Sequence, residues 1–257
     1  MIYFVEGNIG SGKSSFLKNL QKYTASHQTF SNFNIQFIQE PVDIWKDTKD
    51  RDGKNILDHF YTDMNRFCYS FQSFAFISRI KQLDSINPNA NFVFIERSVY
   101  CDKNVFASTC HDSNLMTDIE WEIYNTWFTW MAEKYSYIFK NAKYIYLQCS
   151  PETSLKRIET RAREEENNIP LEYLKTLDKK HNDWLIDSVD NCDSTVDNST
   201  IVIDCEQNLF DPMLFQNTVN QNIFKDIVHK NIDWNILAQK ASISAKQTEN
   251  QHGQKLL

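Results

Sequence analysis

The stretch that most constrains the fold lies at the start of the chain, over residues 2–20. Residues 2–5 are apolar, as in a buried β-strand, and residues 15–20 carry apolar side chains at helical spacing. Between them, residues 7–14 match the pattern GxxxxGK(S/T). This order of strand, glycine-rich loop and helix predicts a loop that binds the phosphates of a nucleoside triphosphate. The alternative, a glycine-rich turn with an accidental lysine, leaves both flanking elements unexplained.

The predicted loop would bind phosphate through its backbone and two side chains. Glycines let the chain turn tightly and direct N–H groups at an anion, and the helix that follows contributes its positive end. Lys13 can reach the β- and γ-phosphates, and the Ser14 hydroxyl can ligate Mg²⁺. The residues predicted to bind ATP are Gly7, Asn8, Ile9, Gly10, Ser11, Gly12, Lys13, Ser14 and Ser15.

Composition narrows the function classes. The chain has 257 residues, of which 41% are hydrophobic, so it can bury a large core in one domain. Its net charge of -7 disfavours a nucleic-acid-binding surface. No apolar run has the length of a membrane span, and a strand beginning at residue 2 leaves no room for a leader, which favours the cytoplasm. The six cysteines and six histidines lack metal-ligand spacing.

Two further predicted strands end in charged residues. Residues 34–38 alternate like a strand that ends at Glu40, and residues 91–95 form an apolar strand that ends at Glu96 and Arg97. In an open α/β sheet, the carboxyl ends of the strands face the ligand crevice. Glu40 is then either a general base for an acceptor hydroxyl or a surface glutamate at a strand end. At the end of its apolar strand, Glu96 is predicted to bring a carboxylate close to Mg²⁺, and Arg97 could hold a transferring phosphoryl group.

Two aromatic stretches predict helices over residues 56–83 and 117–139. In the first, Gln72 and Arg79 lie two turns apart on one face. They could hydrogen-bond a nucleobase, or they could be two exposed polar residues on an amphipathic helix. In the second, apolar residues cover more than one face, which predicts burial in the core and against another subunit.

Arginines and charge runs mark the second half of the chain. Arg157, Arg161 and Arg163 precede an acidic stretch, and the segment 157–168 is either a solvated charged segment or a lid that closes over phosphates. Residues 143–147 and 200–203 predict the last two strands, and residues 170–186 and 212–228 predict helices. We expect one domain over 1–230, a surface insertion at 187–199 and a partly disordered extension at 231–257.

Taken together, these stretches resemble the deoxyribonucleoside kinases. The loop at residues 7–14, the strand end at residues 40–42 and the segment at residues 96–100 have that family's order and spacing, and residues 157–174 resemble its lid and following helix. The resemblance implies an α/β P-loop kinase fold, with a five-stranded parallel sheet flanked by helices and an arginine-rich lid, usually in a homodimer. It also implies transfer of the γ-phosphate of ATP, with Mg²⁺, to the 5′-hydroxyl of a deoxynucleoside.

The resemblance implies a role for each matched residue. Glu40 would accept the proton of the 5′-hydroxyl, Arg97 would lie beside the moving phosphoryl group, and Ser14 and Glu96 would serve Mg²⁺. Together with Lys13, the arginines Arg157, Arg161 and Arg163 would stabilise phosphoryl transfer. The residues implied to bind the nucleoside are Glu40, Phe60, Tyr61, Phe71, Gln72, Ala75, Arg79, Arg97, Asp102, Phe106 and Glu166.

Within this set, Gln72 would pair with the base between Phe71 and Phe106, while Tyr61 and Glu166 would hold the 3′-hydroxyl. Ala75, Arg79 and Asp102 resemble the trio at the base edge of deoxycytidine and deoxyguanosine kinases, which implies deoxycytidine or purine deoxynucleosides over thymidine. Phe60 departs from the methionine usual in deoxycytidine kinases, so we expect a reshaped pocket there.

Two other functions remain as alternatives. A nucleoside monophosphate kinase of the thymidylate kinase type shares the fold and the lid, but Glu40 would repel an acceptor that already carries a phosphate. A nucleotide-dependent switch that barely catalyses is the second alternative. The chain lacks the Asn-Lys-x-Asp element with which a GTPase reads guanine.

Overall fold

A five-stranded parallel sheet forms the centre of the protein, as the sequence predicts. The computed structural model describes residues 1–140, 142–163, 166, 169–187, 200–206 and 211–225. Within them, the strands are β1 Ile2–Glu6, β2 Ile35–Ile38, β3 Phe92–Glu96, β4 Ala142–Gln148 and β5 Thr200–Asp204. They lie in the order β2-β3-β1-β4-β5, so β1 occupies the middle of the sheet.

Helices cover both faces of this sheet. The α-helices are α1 Lys13–Ser26, α2 Val42–Asp47, α3 Ile56–Thr62, α4 Met64–Leu83, α5 Val99–Cys101, α6 Ser108–Asp112, α7 Asp118–Lys134, α8 Ser136–Phe139, α9 Pro151–Arg161, α10 Leu171–Leu185 and α11 Pro212–Asn222. A π-helical segment, Asp102–Ala107, joins α5 directly to α6. Such π-helical turns are rare and occur often at functional sites.

The core lies in two layers, because alternate residues of each strand point to opposite faces. In β1, Tyr3 and Val5 pack with α1 and α11 on one face, whereas Phe4 packs with α4, α7 and α10 on the other. Burial of both faces explains why these strands are almost continuously apolar. Across three adjacent strands, the ring of Phe94 stacks on Tyr3 at 5.0 Å and on Phe37 at 5.4 Å between centroids.

The strand order brings distant segments of the sequence together at one edge. β3 pairs with β1 on one side and with β2 on the other, and Val5 is in register with Glu96. The carboxyl ends of these strands therefore lie side by side. The loop after β1, Glu40 after β2 and Arg97 after β3 consequently meet at this edge.

The prediction of one helix over residues 56–83 is wrong, because the chain forms two helices that are separated at Asp63. The backbone of Asp63 leaves helical geometry (φ -143°, ψ 81°), which separates α3 from α4. Its carboxylate accepts a hydrogen bond from the Arg66 N–H and so begins α4. Aspartate favours this capping position over a helix interior because its short side chain can satisfy a free N–H group. The apolar periodicity runs through the break and hides it.

Other boundaries also differ from the predictions. The helix predicted to reach residue 139 ends at Lys134, and Tyr135 separates it from the short α8. The first helix runs on to Ser26, past the helical spacing seen over residues 15–20, and α11 ends at Asn222 rather than at residue 228. The predicted insertion and C-terminal extension lie almost entirely outside the described residues, as do four positions of the predicted lid.

None of the helices in the described ranges combines the length and the apolar character that crossing a membrane requires.

Candidate active site

The glycine-rich loop packs tightly against the neighbouring strand and helix. Gly7 and Gly10 have positive φ values of 145° and 79°, which favour glycine. A Cβ atom on Gly7 would lie 2.6 Å from the carbonyl oxygen of Leu147, and one on Gly10 would lie 2.4 Å from that of Ser154. Glycine is therefore required at both positions for the loop to approach β4 and α9 this closely.

Lys13 and Asn8 hold the loop in shape. The Lys13 ammonium donates hydrogen bonds to the carbonyl oxygens of Gly7 and Asn8 at 3.0 and 2.7 Å. Burial, together with the charge of Arg97, lowers the pKa of Lys13 to about 8, although Glu96 and Glu40 act in the opposite direction. The Asn8 side chain donates to the carbonyl of Leu174, which ties the loop to α10.

Glu40 lies between two arginines. Its Oε1 is 2.6 Å from Arg79 Nη2 and 3.3 Å from Arg97 Nε. Burial alone would raise the pKa of this carboxyl, but Arg79, Arg97 and Lys13 outweigh it and lower the pKa of Glu40 to about 2. Glu40 is thus an ionised carboxylate inside the site, and the alternative of a surface glutamate is wrong.

Arg79 connects three elements of the site. Its Nε lies 2.9 Å from Asp102 Oδ1, and its Nη1 lies 3.5 Å from the carbonyl oxygen of Glu96. Burial raises the pKa of Asp102 to about 6, even though Arg79 opposes this shift. Gln72 and Arg79 are only 2% and 6% exposed, so the alternative of two solvent-exposed polar residues is wrong.

Ser14 and Glu96 present oxygen atoms at the mouth of the loop. The Ser14 hydroxyl donates to Glu96 Oε1 at 2.7 Å, and Glu96 Oε2 accepts from the Glu40 N–H at 3.4 Å. Among the described residues, no group of three or more histidine, cysteine, aspartate and glutamate side chains could hold a metal. One carboxylate and one hydroxyl nevertheless fit Mg²⁺, which takes oxygen ligands and obtains most of them from water and bound phosphates.

Arg97 adopts an unusual backbone conformation directly after β3. Its φ of 64° lies in the left-handed region, and its N–H donates to the carbonyl of Val5. The side chain turns toward the loop, where Nη1 donates to the Gly7 carbonyl at 2.9 Å. The guanidinium also lies over the ring of Phe106, 4.7 Å from its centroid. This conformation directs one arginine at both the phosphate loop and Glu40.

The three predicted lid arginines divide into two groups. Arg157 donates to the carbonyl oxygens of Ser11 and Cys205 at 3.3 and 2.7 Å. Arg161 and Arg163 both pair with Glu166. Residues 164, 165, 167 and 168 lie outside the described residues. The described part of this segment therefore contacts the phosphate loop and pairs internally.

Most of the predicted site residues line one cavity of about 250 Å³. From the loop and α1, these are Ile9, Gly10, Gly12, Lys13, Ser14 and Ser15. From the rest of the chain, they are Glu40, Phe60, Tyr61, Phe71, Gln72, Ala75, Arg79, Glu96, Arg97, Asp102, Phe106, Arg161, Arg163 and Glu166. Four predicted residues do not line it, namely Gly7, Asn8, Ser11 and Arg157.

Sequence reasoning missed several residues of this site. The cavity is also lined by Trp45 and Leu57, which carry no motif, and by Val42 and Tyr173, which lie in the segments 40–42 and 157–174 but were given no role. The Trp45 ring lies beneath the Arg79 guanidinium, 5.2 Å away. Behind the cavity, three polar residues went unnoticed: Glu6, Cys101 and His181. For these three residues, the one sequence signal was that Glu6 immediately precedes the phosphate loop. The Glu6 carboxylate accepts a hydrogen bond from the Ser98 N–H at 2.8 Å.

Comparison with known proteins identifies the family. A family model described as deoxynucleoside kinase matches residues 3–232. The chain belongs to the deoxynucleoside kinase family. Deoxynucleoside kinases are phosphotransferases, and this membership together with the observed sheet confirms the predicted P-loop kinase fold.

Individual relatives agree with this assignment. A probable deoxycytidine kinase of fowlpox virus (strain NVSL) is 39% identical over 185 residues, which cover 70% of each chain. The deoxycytidine kinase of Mus musculus is 37% identical over 193 residues, covering 71% of this chain and 74% of the relative. A mitochondrial deoxyguanosine kinase of Xenopus laevis is 32% identical over 197 residues, covering 70% of this chain and 71% of the relative.

The tight packing of the loop predicts different costs for two matched glycine substitutions. Gly12→Ala meets no atom within 4 Å and is opposed only by its positive φ of 97°, which we expect to cost about 1–2 kcal/mol of unfolding free energy. Gly10→Ala adds a collision with the Ser154 carbonyl and should cost about 1–3 kcal/mol more. Denaturant unfolding of the two variants measures the difference; equal losses would contradict the packing described here.

Proposed function

We propose that this deoxynucleoside kinase transfers the γ-phosphate of ATP to the 5′-hydroxyl of deoxyribonucleosides and so supplies deoxynucleoside monophosphates in nucleotide salvage. The observation that carries the proposal is the position of Glu40. It is an ionised carboxylate within a cavity that has the phosphate loop at one end and a polar and aromatic pocket at the other. The family match over residues 3–232 supports a single kinase domain over residues 1–230.

In the proposed reaction, Glu40 accepts a hydrogen bond from the 5′-hydroxyl and then takes its proton. A carboxylate with a pKa of about 2 is a weak base, so its main contribution is to hold the hydroxyl in line with the γ-phosphate. This is sufficient because phosphoryl transfer has a loose transition state in which bonding to the nucleophile is slight. Arg97, between Glu40 and the loop, stabilises the charge on the transferring group.

The triphosphate end of the site uses the loop, Lys13 and a metal ion. Backbone N–H groups of the loop and the Lys13 ammonium bind the β- and γ-phosphates. Ser14 and Glu96 would hold Mg²⁺, which neutralises charge on the phosphate oxygens when it is bound. The proposed lid would add Arg157, which already contacts the loop carbonyl of Ser11, together with Arg161 and Arg163.

The nucleoside end of the site distinguishes between bases. In this proposal, the buried amide of Gln72 pairs with an edge of the base, which lies between Phe71 and Phe106; all three residues line the cavity. The ion pair of Arg79 and Asp102 offers a donor and an acceptor to an amino group or a purine edge, and we expect it to crowd a thymine methyl group. We therefore propose that deoxycytidine or purine deoxynucleosides are preferred over thymidine. The names of the relatives, deoxycytidine and deoxyguanosine kinases, support this.

At the sugar, Tyr61 and Glu166 are the proposed partners of the 3′-hydroxyl, since both line the cavity. Burial, followed by the charges of Glu166 and Glu40, raises the pKa of Tyr61, so its hydroxyl stays protonated and able to donate. Phe60, which also lines the cavity, packs against Phe71 with a centroid distance of 4.7 Å.

The base preference is tested by initial rates with ATP on the four deoxynucleosides. We expect kcat/KM for deoxycytidine or a purine deoxynucleoside to exceed that for thymidine by roughly tenfold or more, because a thymine would leave the Arg79 and Asp102 pair without a partner. Thymidine as the best substrate would overturn the preference. In the same assay, deoxycytidine monophosphate should be a poor acceptor; a higher rate with it than with deoxycytidine would favour the nucleoside monophosphate kinase.

We also propose that the protein is a homodimer formed through α7. Ile119, Ile123, Trp127 and Trp130 lie along one face of α7 and are 68%, 41%, 53% and 50% exposed. Large apolar side chains grouped on one exposed face commonly mark a protein interface.

Sedimentation analysis should give about twice the chain mass of 30.3 kDa, and Trp127→Glu should shift the protein toward the monomer. Met213→Glu is a matched control, since Met213 is 74% exposed but lies on α11, on the opposite side of the sheet. A wild-type monomer, or equal effects of both substitutions, would contradict the proposed interface.

A further inference from the structure

Two buried side chains that the proposed reaction does not use lie directly behind Arg97. Cys101, on α5, and His181, on α10, are both completely buried. The Cys101 Sγ and the His181 Nε2 are 3.6 Å apart, which is within hydrogen-bonding distance for sulfur. A buried imidazole and a buried thiol in contact, next to the reacting groups, require an explanation other than apolar packing.

The hydrogen bonds of His181 determine the direction of this contact. Its Nδ1 lies 2.7 Å from the carbonyl oxygen of Leu177. A carbonyl can only accept, so Nδ1 carries the proton. Burial, and then the charge of Arg97, lowers the pKa of His181 well below its usual value, so the ring is neutral. Nε2 therefore has a free lone pair that can accept the Cys101 thiol hydrogen, and the Glu6 carboxylate is the second acceptor beside that thiol.

With its hydrogen donated to His181 or Glu6, the sulfur of Cys101 faces Arg97 as an acceptor. Arg97 Nη1 lies 3.4 Å from Cys101 Sγ and 2.9 Å from the Gly7 carbonyl, while Arg97 Nε faces Glu40 at 3.3 Å. The chain of contacts thus runs from α10 through the thiol and the guanidinium to the reactive carboxylate.

Aromatic rings fix the position of His181, at the far end of this series of contacts. The His181 ring is stacked on Tyr146, with 5° between the planes and 5.9 Å between the centroids. Phe106 meets His181 edge-on at 6.4 Å, and the same Phe106 ring lies against the Arg97 guanidinium. The imidazole consequently has little freedom to turn away from Cys101.

We infer that Cys101 and His181 are positioning residues that set the orientation of the Arg97 guanidinium. Without those contacts, Glu40 could draw the end of the guanidinium, Nη1 together with Nη2, into a two-point pairing, which a carboxylate and an arginine favour. Such a pairing would occupy both oxygens of Glu40 and close it to the acceptor hydroxyl. The thiol and the Gly7 carbonyl hold Nη1 away from Glu40, so that the end-on pairing cannot form and the guanidinium presents its Nε to Glu40. This inference rests on the proposed function of Glu40 and Arg97.

The test compares Cys101→Ala with Cys101→Ser and Cys110→Ala. Cys101→Ala removes the acceptor and should lower kcat on the order of tenfold to a hundredfold, with the nucleoside KM changed less than about threefold. Cys101→Ser keeps a donor and an acceptor and should recover most of the rate. Cys110 is equally buried but lies on α6, so Cys110→Ala should leave kcat unchanged. Wild-type kcat in Cys101→Ala, or equal losses in Cys101→Ala and Cys110→Ala, would overturn the inference.

A double-mutant cycle separates positioning from general packing. If Cys101 acts through Arg97, then Cys101→Ala should have no further effect on kcat in an Arg97→Ala background. The same fold-loss in both backgrounds would show that Cys101 does not act through Arg97.

A crystal structure of Cys101→Ala provides a readout that needs no activity. We expect the Arg97 guanidinium to pair with both oxygens of Glu40, whereas an unmoved Nη1 on the Gly7 carbonyl would contradict the inference. A wild-type protein that transferred no phosphate would refute the proposed function, while this structural outcome would still decide the orientation of Arg97.

Discussion

The site depends on one partly buried carboxylate, Glu40, held between Arg79 and Arg97. A carboxylate removed from water is costly unless it is paired, and here two guanidinium groups more than offset that cost. The arginines are themselves held by other groups, Arg79 by Asp102 and Arg97 by the Gly7 carbonyl. The cluster is therefore a network in which removal of one charge leaves another buried and unpaired.

Because the pKa of Glu40 is lowered, its ion pairs contribute to stability above the pKa of an unfolded glutamate, and this contribution is lost as the pH falls through about 2. Asp102 behaves in the opposite way. Burial raises its pKa to about 6, so below that pH it is increasingly protonated, and the partner that it offers to Arg79 weakens. Near neutral pH, the protonation state of Asp102 is therefore more sensitive to pH than that of Glu40.

Much of this arrangement could be predicted from the sequence because it depends on local patterns and one topological rule. The loop motif gives residues 7–14, and parallel strands end at a common edge, so Glu40, Glu96 and Arg97 were expected near the loop. The residues expected to bind the nucleoside came from the family resemblance. Their placement around a single cavity agrees with these expectations.

Other features could not be predicted because they depend on tertiary contacts. The spacing of Gln72 and Arg79 shows that they share a helix face, but not that this face is buried. Trp45 reaches the cavity from the short helix α2, which no motif marks. The contact between Cys101 and His181 joins positions 80 residues apart. The break at Asp63 was hidden because capping chemistry prevailed over an uninterrupted apolar pattern.

The central claim is that the Glu40 carboxylate orients and deprotonates the acceptor hydroxyl. The most direct test is kcat for Glu40→Gln, which keeps the shape of the side chain but removes its charge. We predict a loss on the order of a hundredfold or more in a protein that still folds, as judged by circular dichroism and thermal unfolding. Phosphate transfer at the wild-type rate by the folded variant would contradict this claim and would favour a nucleotide-dependent switch or another catalytic group.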